Sequence, residues 1–316
     1  MSETFPTFKD IQEAHQRIKP FIHETPVLSS RSMNKILDLD IVFKCENFQK
    51  VGAFKFRGAT NAVRKLSKKD AERGVTTHSS GNHAAALSLA ARQLGIPAYI
   101  VMPETAPDIK KKAVAGYGAE ITFCKPTLQA REDTLSIVQK ETGATFIHPY
   151  DNYDVICGQG TAAIEFLKDI DDIDVLIAPI GGGGLMSGTA ISAKAINRKI
   201  QVYGAEPLNA DDAYRSFKQD VLIPAGPPNT LADGLLTSLS PLTFQIIKEK
   251  VDDILTAKEQ AIIDAMRMIW ERMKIIVEPS SAVPLASVLE NRHLFKSKKI
   301  GIIISGGNVD LTNLPF

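Results

Sequence analysis

The sequence has little cysteine: three in 316 residues, Cys45, Cys124 and Cys157, far apart and without CxxC spacing. An odd, scattered set excludes a disulfide scaffold, offers no zinc signature and predicts buried or inert thiols in a reducing compartment. An excess of either charge is missing too, with 37 Lys+Arg against 36 Asp+Glu and a formal net charge of +1. That balance argues against nucleic acid or an anionic membrane as the main partner. Short basic clusters such as Lys110-Lys111-Lys112 read as solvated helix faces. No apolar run approaches the roughly 20 residues that span a bilayer. Residues 1–20 lack the basic start and apolar stretch of an export signal. The expectation is a cytoplasmic protein that handles a small molecule.

What is present is alternation. Apolar runs at 41–44, 75–78, 98–102, 120–124, 145–148, 175–180, 202–205 and 300–304 predict strands. Helix-period segments such as 82–94, 128–141, 160–167, 186–196 and 259–273 fall between them. Continuous β-branched runs separated by helices indicate parallel strands buried on both faces, hence an α/β fold with helices covering open sheets. At about 150 residues per domain the length corresponds to two domains. No Gly/Ser-rich linker divides them, which fits a small domain at 74–150 inserted in a larger one formed by 1–73 and 151–316.

Four segments carry chemistry. Lys55 stands between Phe54 and Phe56. An ammonium held among aromatic rings loses solvation, which favours the neutral amine that can attack a carbonyl. The same flank is compatible with a lysine pointing to solvent over packed rings. Next, the apolar run 175–180 leads into Gly181-Gly182-Gly183-Gly184 and a helical segment. Glycines at a strand-to-helix junction let backbone N–H groups and the positive helix end approach an anion such as phosphate. A P-loop is excluded because no Lys-Ser/Thr follows, and GxGxxG/A fails in both registers, at Met186 and at Ser187. Glu206, near the spacing of a ribose-binding carboxylate, keeps a dinucleotide open, and a glycine turn needed only for packing also stays open. Third, Thr77-His78-Ser79-Ser80-Gly81-Asn82-His83 ends a strand and opens a helix, at the edge where open α/β sheets bind ligands. Ser80 lacks a GxSxG elbow; such a cluster orients a carboxylate or caps a helix. His83 reads as a packed helix histidine or an acid–base group. Fourth, Ser305-Gly306-Gly307-Asn308 ends the run 300–304 in the same style. Three such loops and a desolvated lysine describe a site for a phosphorylated, carbonyl-bearing cofactor, pyridoxal 5'-phosphate (PLP).

The chain resembles the fold-type II PLP enzymes, in particular the serine racemase and serine/threonine dehydratase group. The likeness is carried by Thr25-Pro26-Val27-Leu28, the Lys55 segment, Ser79–His83, Gly181–Gly184, Ala205-Glu206-Pro207, Ala232-Asp233-Gly234, Val277-Glu278-Pro279 and Ser305–Asn308, spread over nearly the whole chain. It implies a tryptophan synthase β-like architecture: two open, twisted, mostly parallel sheets flanked by helices, with the cofactor in the interdomain cleft. It implies that Lys55 carries the cofactor as a Schiff base and that Gly181, Gly182, Gly183, Gly184 and Leu185 hold its phosphate. Asn82 would bond the ring oxygen, Ser305 would face the pyridine nitrogen, and Tyr150 would lie beside the cofactor where some relatives have asparagine. A neutral serine does not enforce a protonated ring nitrogen as an acidic partner does, which suits chemistry that passes quickly through a Cα carbanion.

The resemblance also implies an activity: racemisation of serine, with Lys55 and Ser80 on opposite faces of Cα, and β-elimination to pyruvate and ammonia. The close alternative is a dehydratase of L-threonine, L-serine or 3-hydroxyaspartate without racemase activity. Ser79, Ser80, Asn82 and His83 would hold the substrate carboxylate, with Arg131 and Thr237 as further contacts. Glu206, the carbonyl of Ala210 and Asp212 correspond to a divalent-cation site whose oxygen donors suit Mg²⁺, Ca²⁺ or Mn²⁺. Read without the resemblance, that stretch is a surface turn capping a helix. ATP activates some members at a subunit interface, for which the corresponding positions are Ser30, Arg31, Ser32, Lys50, Tyr117, Lys274 and Asn308. Gln12, Arg31 and Ala85 depart from the animal racemase pattern there. A homodimer is implied. A β-replacement enzyme, an NAD-dependent oxidoreductase and an inactive binding paralogue are the readings from neighbouring classes.

Overall fold

The computed structural model describes residues 5–79, 81–106, 108–227 and 229–316. Its strands are β1 (Val27–Ser29), β2 (Asp40–Cys45), β3 (Val75–His78), β4 (Ala98–Pro103), β5 (Glu120–Cys124), β6 (Thr145–Phe146), β7 (Val175–Pro179), β8 (Gln201–Pro207), β9 (Asp253–Ala257) and β10 (Lys299–Ile304). They form a six-stranded sheet in the order β1-β2-β10-β7-β8-β9 and a four-stranded sheet in the order β5-β4-β3-β6. Among the strand pairs of the described residues only β1 against β2 is antiparallel.

Side chains alternate across a strand, so a run apolar throughout must be covered on both faces. In β7, Val175 and Ile177 enter one core while Leu176 and Ala178 enter the other. In β10, Ile300, Ile302 and Ile304 face one core and Ile303 the opposite one. The four-stranded sheet draws every strand from residues 75–146, yet its core takes Phe56, Ala59, Ala62 and Val63 from the helix Lys55–Arg64.

Three helices behind the sheets approach unusually closely. A Cβ on Gly158 of the helix Tyr153–Asp169 would lie 2.6 Å from the Cα of Gly58 in the helix Lys55–Arg64. A Cβ on Gly188 of the helix Gly184–Ile196 would lie 2.5 Å from the backbone nitrogen of Gly160. Only glycine permits those crossings, and they couple the helix that begins at Lys55 to the helix that follows the tetraglycine loop. The helix Tyr153–Asp169 is longer than the expected 160–167, because the Asn152 side chain caps it by accepting from the Val155 N–H at 3.0 Å. β1 and β9 also go beyond the expectation from sequence. The first has only three residues, and the second is only partly buried, with Asp253 at its start. Among the described residues, no helix is long and apolar enough to cross a membrane.

Candidate active site

The Lys55 and Ser305 segments are tied together before any side chain is considered. Ala53 forms an antiparallel bridge with Gly306, and the Phe54 N–H donates to the Ser305 carbonyl at 2.9 Å. Lys55 then opens its helix, with Nζ donating to the Pro149 carbonyl at 2.9 Å and lying 5.2 Å from the centre of the Phe54 ring. Phe56 turns away into the core of the four-stranded sheet, so one phenylalanine, not two, faces the amine. Lys55 is partly buried. Burial lowers its pKa to about 8, against the opposing pull of the Glu278 carboxylate. An ordinary lysine at neutral pH is almost wholly charged; this one keeps a substantial neutral fraction.

The tetraglycine loop follows β7, and Gly184 opens the next helix from a left-handed Gly183 at φ +85. Tyr150 lies flat against the loop: a Cβ on Gly182 would lie 2.2 Å from its ring, and one on Gly184 would lie 3.0 Å from its Cβ. Gly181 backs onto Gly234 and Leu235, and Leu185 is buried. Burial raises the Tyr150 phenol, and Thr237, close enough to act on it in the opposite sense, is exposed. The loop is therefore a cradle of backbone N–H groups that any side chain would close.

Asn82 opens the helix Asn82–Leu94, and both ends of its amide are engaged. Its Nδ2 donates to Glu278 Oε1 and Oε2 at 3.0 and 3.2 Å, and its Oδ1 accepts from Asn308 Nδ2 at 2.9 Å. Burial, reinforced by the Asp233 charge, lifts Glu278 to about 7. Glu278 is the functional neighbour that was absent from the expected site residues, although the Val277-Glu278-Pro279 motif contained it. Ser79 Oγ accepts from the Gly81 N–H at 3.4 Å; Ser80 lies outside the described residues. His83 is buried with Nε2 3.0 Å from the Ile147 carbonyl, and burial together with the Lys55 charge lowers it to about 3, so it is neutral. Its Nδ1 has no partner. Arg131, on the helix Leu128–Thr142, is close enough for its charge to lower His78.

A cavity of about 790 Å³ is lined by Asn82 and Asn308 together with Tyr117, Ala85 and Lys110. Lys110 and Asp233, both in its lining, pair at 2.6 Å. Of the expected nucleotide positions, Tyr117 and Asn308 line this cavity, and Ser30, Arg31, Ser32, Lys50 and Lys274 do not. Ser30 caps the helix Arg31–Leu37, whose first two residues are Arg31 and Ser32, Lys50 Nζ donates to the Phe21 carbonyl at 2.6 Å, and Lys274 ends the helix Glu259–Met273 at φ 60.

Glu206 and Asp212 meet elsewhere, at the end of β8. Glu206 is buried, with its two oxygens accepting from the Ala213 and Tyr214 N–H groups at 3.1 and 2.7 Å. Asp212 is buried too, its Oδ2 without a partner beside a small cavity lined by Ala210. Burial raises both carboxyls, Asp212 to about 6. Two crowded carboxylates with an orphaned oxygen fit a hard cation. Among the described residues no three His, Cys, Asp or Glu side chains cluster as metal ligands.

The family model described as pyridoxal-phosphate dependent enzyme matches residues 18–306. The chain belongs to that family. A β-hydroxyaspartate dehydratase of Paracoccus denitrificans is 50% identical over 98% of this chain and 99% of its own. A serine racemase of Arabidopsis thaliana is 51% identical over 96% of this chain and 93% of its own. The crystal structure of serine racemase from Dictyostelium discoideum superposes with a TM-score of 0.92 at 50% identity, covering 97% of this chain and 99% of that one. The mostly parallel sheets flanked by helices are the fold-type II architecture of these PLP enzymes. The residues fit the cofactor: an amine held near neutrality for its aldehyde, a glycine cradle at a helix start for its phosphate, and the buried Ser305 hydroxyl at the end of β10 for its ring.

Proposed function

We propose that this PLP enzyme interconverts L- and D-serine and also eliminates water from serine, leaving an enamine that water hydrolyses to pyruvate and ammonia. The observation that carries the reading is Lys55, partly buried with its Nζ on the Pro149 carbonyl and lowered to about 8, in a chain whose tetraglycine loop leaves no room for side chains. When bound, PLP supplies the electron sink that acidifies the Cα–H bond. Gly181–Gly184 and Leu185 offer N–H groups to the phosphate, with Tyr150 packed over them. Asn82, oriented by Glu278 and Asn308, reaches the ring oxygen, and Ser305 faces the ring nitrogen. Ser79, Ser80, Asn82 and the His83 backbone N–H orient the substrate carboxylate, with Arg131 and Thr237 around it. Lys55 Nζ takes the Cα proton from one face. Ser80 exchanges the proton on the other face, and departure of the β-hydroxyl instead leads to elimination.

The Paracoccus relative favours a second reading, a dehydratase of 3-hydroxyaspartate. One panel separates the two: L-serine, D-serine, L-threonine and 3-hydroxyaspartate, with chiral amino-acid analysis and keto-acid release measured together. D-serine accumulating from L-serine is the expected result, and Ser80→Ala should abolish it while sparing elimination of L-serine. Keto acid from 3-hydroxyaspartate with no change of serine configuration would decide for the second reading.

Residues 74–150 act in this reading as a small mobile domain, latched by Lys110–Asp233 across the cleft, in a cytoplasmic homodimer. Glu206, Asp212 and the Ala210 carbonyl hold Mg²⁺, or Ca²⁺ or Mn²⁺, as a structural activator. ATP occupies the cavity bordered by Tyr117 and Asn308, with Ser30, Arg31, Ser32, Lys50 and Lys274 contributing where two copies meet. A cation at 100 times its Kd stabilises the fold by about 2.7 kcal/mol. Chelation should therefore lower both the melting midpoint and the activity, with Mg²⁺ restoring them. An unchanged midpoint and rate after chelation would refute the cation site.

A further inference from the structure

The helix Lys55–Arg64 begins without a cap of its own. Phe54 stands at its N-cap position, already helical at φ −52 and ψ −25, and has no side-chain oxygen to accept an orphan N–H. The Phe56 and Arg57 N–H groups bond back three residues, to the Ala53 and Phe54 carbonyls at 3.3 and 2.9 Å. The next donor, the Gly58 N–H, is met from another helix. Gln159 Oε1, 101 positions away in the helix Tyr153–Asp169, accepts from it at 3.1 Å. Gln159 is fully buried, and its Nε2 has no partner among the described residues. The bond to Gly58 therefore fixes which way the amide points; turned over, it would set its own NH₂ against a second donor. A Cβ on Gly58 would lie 2.6 Å from Gln159 Nε2, so residue 58 is glycine where the amide must reach the backbone.

We infer that Gln159 is a positioning residue for Lys55, capping from a neighbouring helix the turn that Lys55 opens. The inference rests on the reading that Lys55 Nζ moves the Cα proton. Lys55 is the first residue of that turn, so the turn sets the direction in which its side chain leaves the backbone. The Pro149 carbonyl holds the far end of the side chain, at 2.9 Å from Nζ, and the Gln159 cap holds the near end. Proton transfer loses rate steeply when the reacting atoms are misplaced by about 1 Å, so a fraying first turn is felt at the amine. The Arg57 clamp grips the same turn through side chains, on Glu46 and Glu165, and satisfies no backbone donor. The two devices are separable: the clamp balances buried charge, and the cap aims the lysine.

The test compares loaded wild type, Gln159→Met and Gln159→Glu, with rates taken per bound cofactor, on L-serine and on L-serine deuterated at Cα. Methionine keeps the volume without an oxygen acceptor; glutamate keeps an accepting oxygen at the same reach, ionised or not. Gln159→Met should lower kcat for keto-acid release about tenfold, the scale of one hydrogen bond. KM should change little, and the deuterium effect on kcat should rise because proton transfer has become the slower step. Gln159→Glu should recover most of the rate and the wild-type isotope effect. If the methionine variant fails to fold, Gln159→Asn, which withdraws the oxygen by one methylene, should shift kcat and the isotope effect the same way. A purely structural role would reduce cofactor content and melting midpoint but leave kcat per bound cofactor and the isotope effect at wild type, and that result would overturn the inference. Equal losses in the methionine and glutamate variants would overturn it too, because the acceptor would then not be what matters. Lys55→Ala tests the underlying reading separately. If that variant, saturated with added cofactor, still exchanges the Cα proton of serine with solvent at the wild-type rate, Lys55 is not the base, whatever the Gln159 variants show.

Discussion

Replacing Lys55 with Ala is expected to lower racemisation and elimination by at least about 10⁴-fold, because one side chain both anchors the cofactor and moves the Cα proton. Three further signatures separate this from a folding defect. The cofactor should wash out on dialysis, borohydride should no longer fix it to the chain, and the thermal midpoint of the apo-protein should stay close to that of wild-type apo-protein. The depressed pKa adds a pH dependence with a definite sign. Neutral amine captures the aldehyde, and its fraction rises as pH increases through the group's own pKa. With Lys55 at about 8, capture by the apo-protein should rise with pH through 8 and level off above it. An ordinary lysine at 10.5 would hold roughly 300-fold less neutral amine at pH 7 and would still be climbing at pH 9. A capture rate that climbs steadily past pH 9 would show that burial does not set the amine.

What could be read from the chain without coordinates was whatever is local. The tetraglycine loop, the run ending at Ser305 and the lysine beside Phe54 each carry their chemistry within a few residues, so strand and loop chemistry exposed them. Helices such as Asn82–Leu94 and Glu259–Met273 matched the expected bounds because their apolar period is uninterrupted. What escaped was pairing at a distance. Glu278 meets Asn82 across 196 positions, and no local pattern marks that carboxylate as the group that orients the amide. Phe56 looked equivalent to Phe54, but helix periodicity turned it from the site into a core. The glycines of the helix Tyr153–Asp169 weakened the helical pattern there for a tertiary reason, the close crossing of two neighbouring helices.

The second large effect lies beneath the site. Arg57, two residues after Lys55, is fully buried and clamps two carboxylates. Its Nε and Nη2 donate to Glu46 Oε2 and Oε1 at 2.7 and 2.8 Å, and its Nη1 and Nη2 donate to Glu165 Oε1 and Oε2 at 2.7 and 2.6 Å. Buried Lys44 pairs with Glu165 at 2.8 Å, so two cations balance two anions out of water. Arg57→Met fills the space with apolar volume but leaves one buried carboxylate uncompensated. Breaking such a pair costs about 3–5 kcal/mol, from a total stability of about 5–15 kcal/mol. For a chain of this length that predicts a fall in thermal midpoint of roughly 5–8 °C. The pH dependence follows from Glu165. Burial pushes it up, and the bonds and charges of Arg57 and Lys44 more than reverse that, holding it below the usual carboxylate range. In wild type its stabilisation is present above the unfolded pKa and is lost as pH falls. Without Arg57, Lys44 still pairs Glu165 but Glu46 keeps only the Thr25 hydroxyl, so the ionised cluster holds one buried negative charge with no cation and the variant is destabilised where the carboxylates are charged. The gap between wild type and Arg57→Met should therefore be widest near neutral pH and narrow below about pH 5. Adding Glu46→Gln should recover part of the loss at neutral pH, because Glu46 is the carboxylate that loses its cation while Glu165 keeps Lys44. A midpoint within 1 °C of wild type at neutral pH, or a gap that widens in acid, would show that the cluster does not bear on stability as its geometry requires.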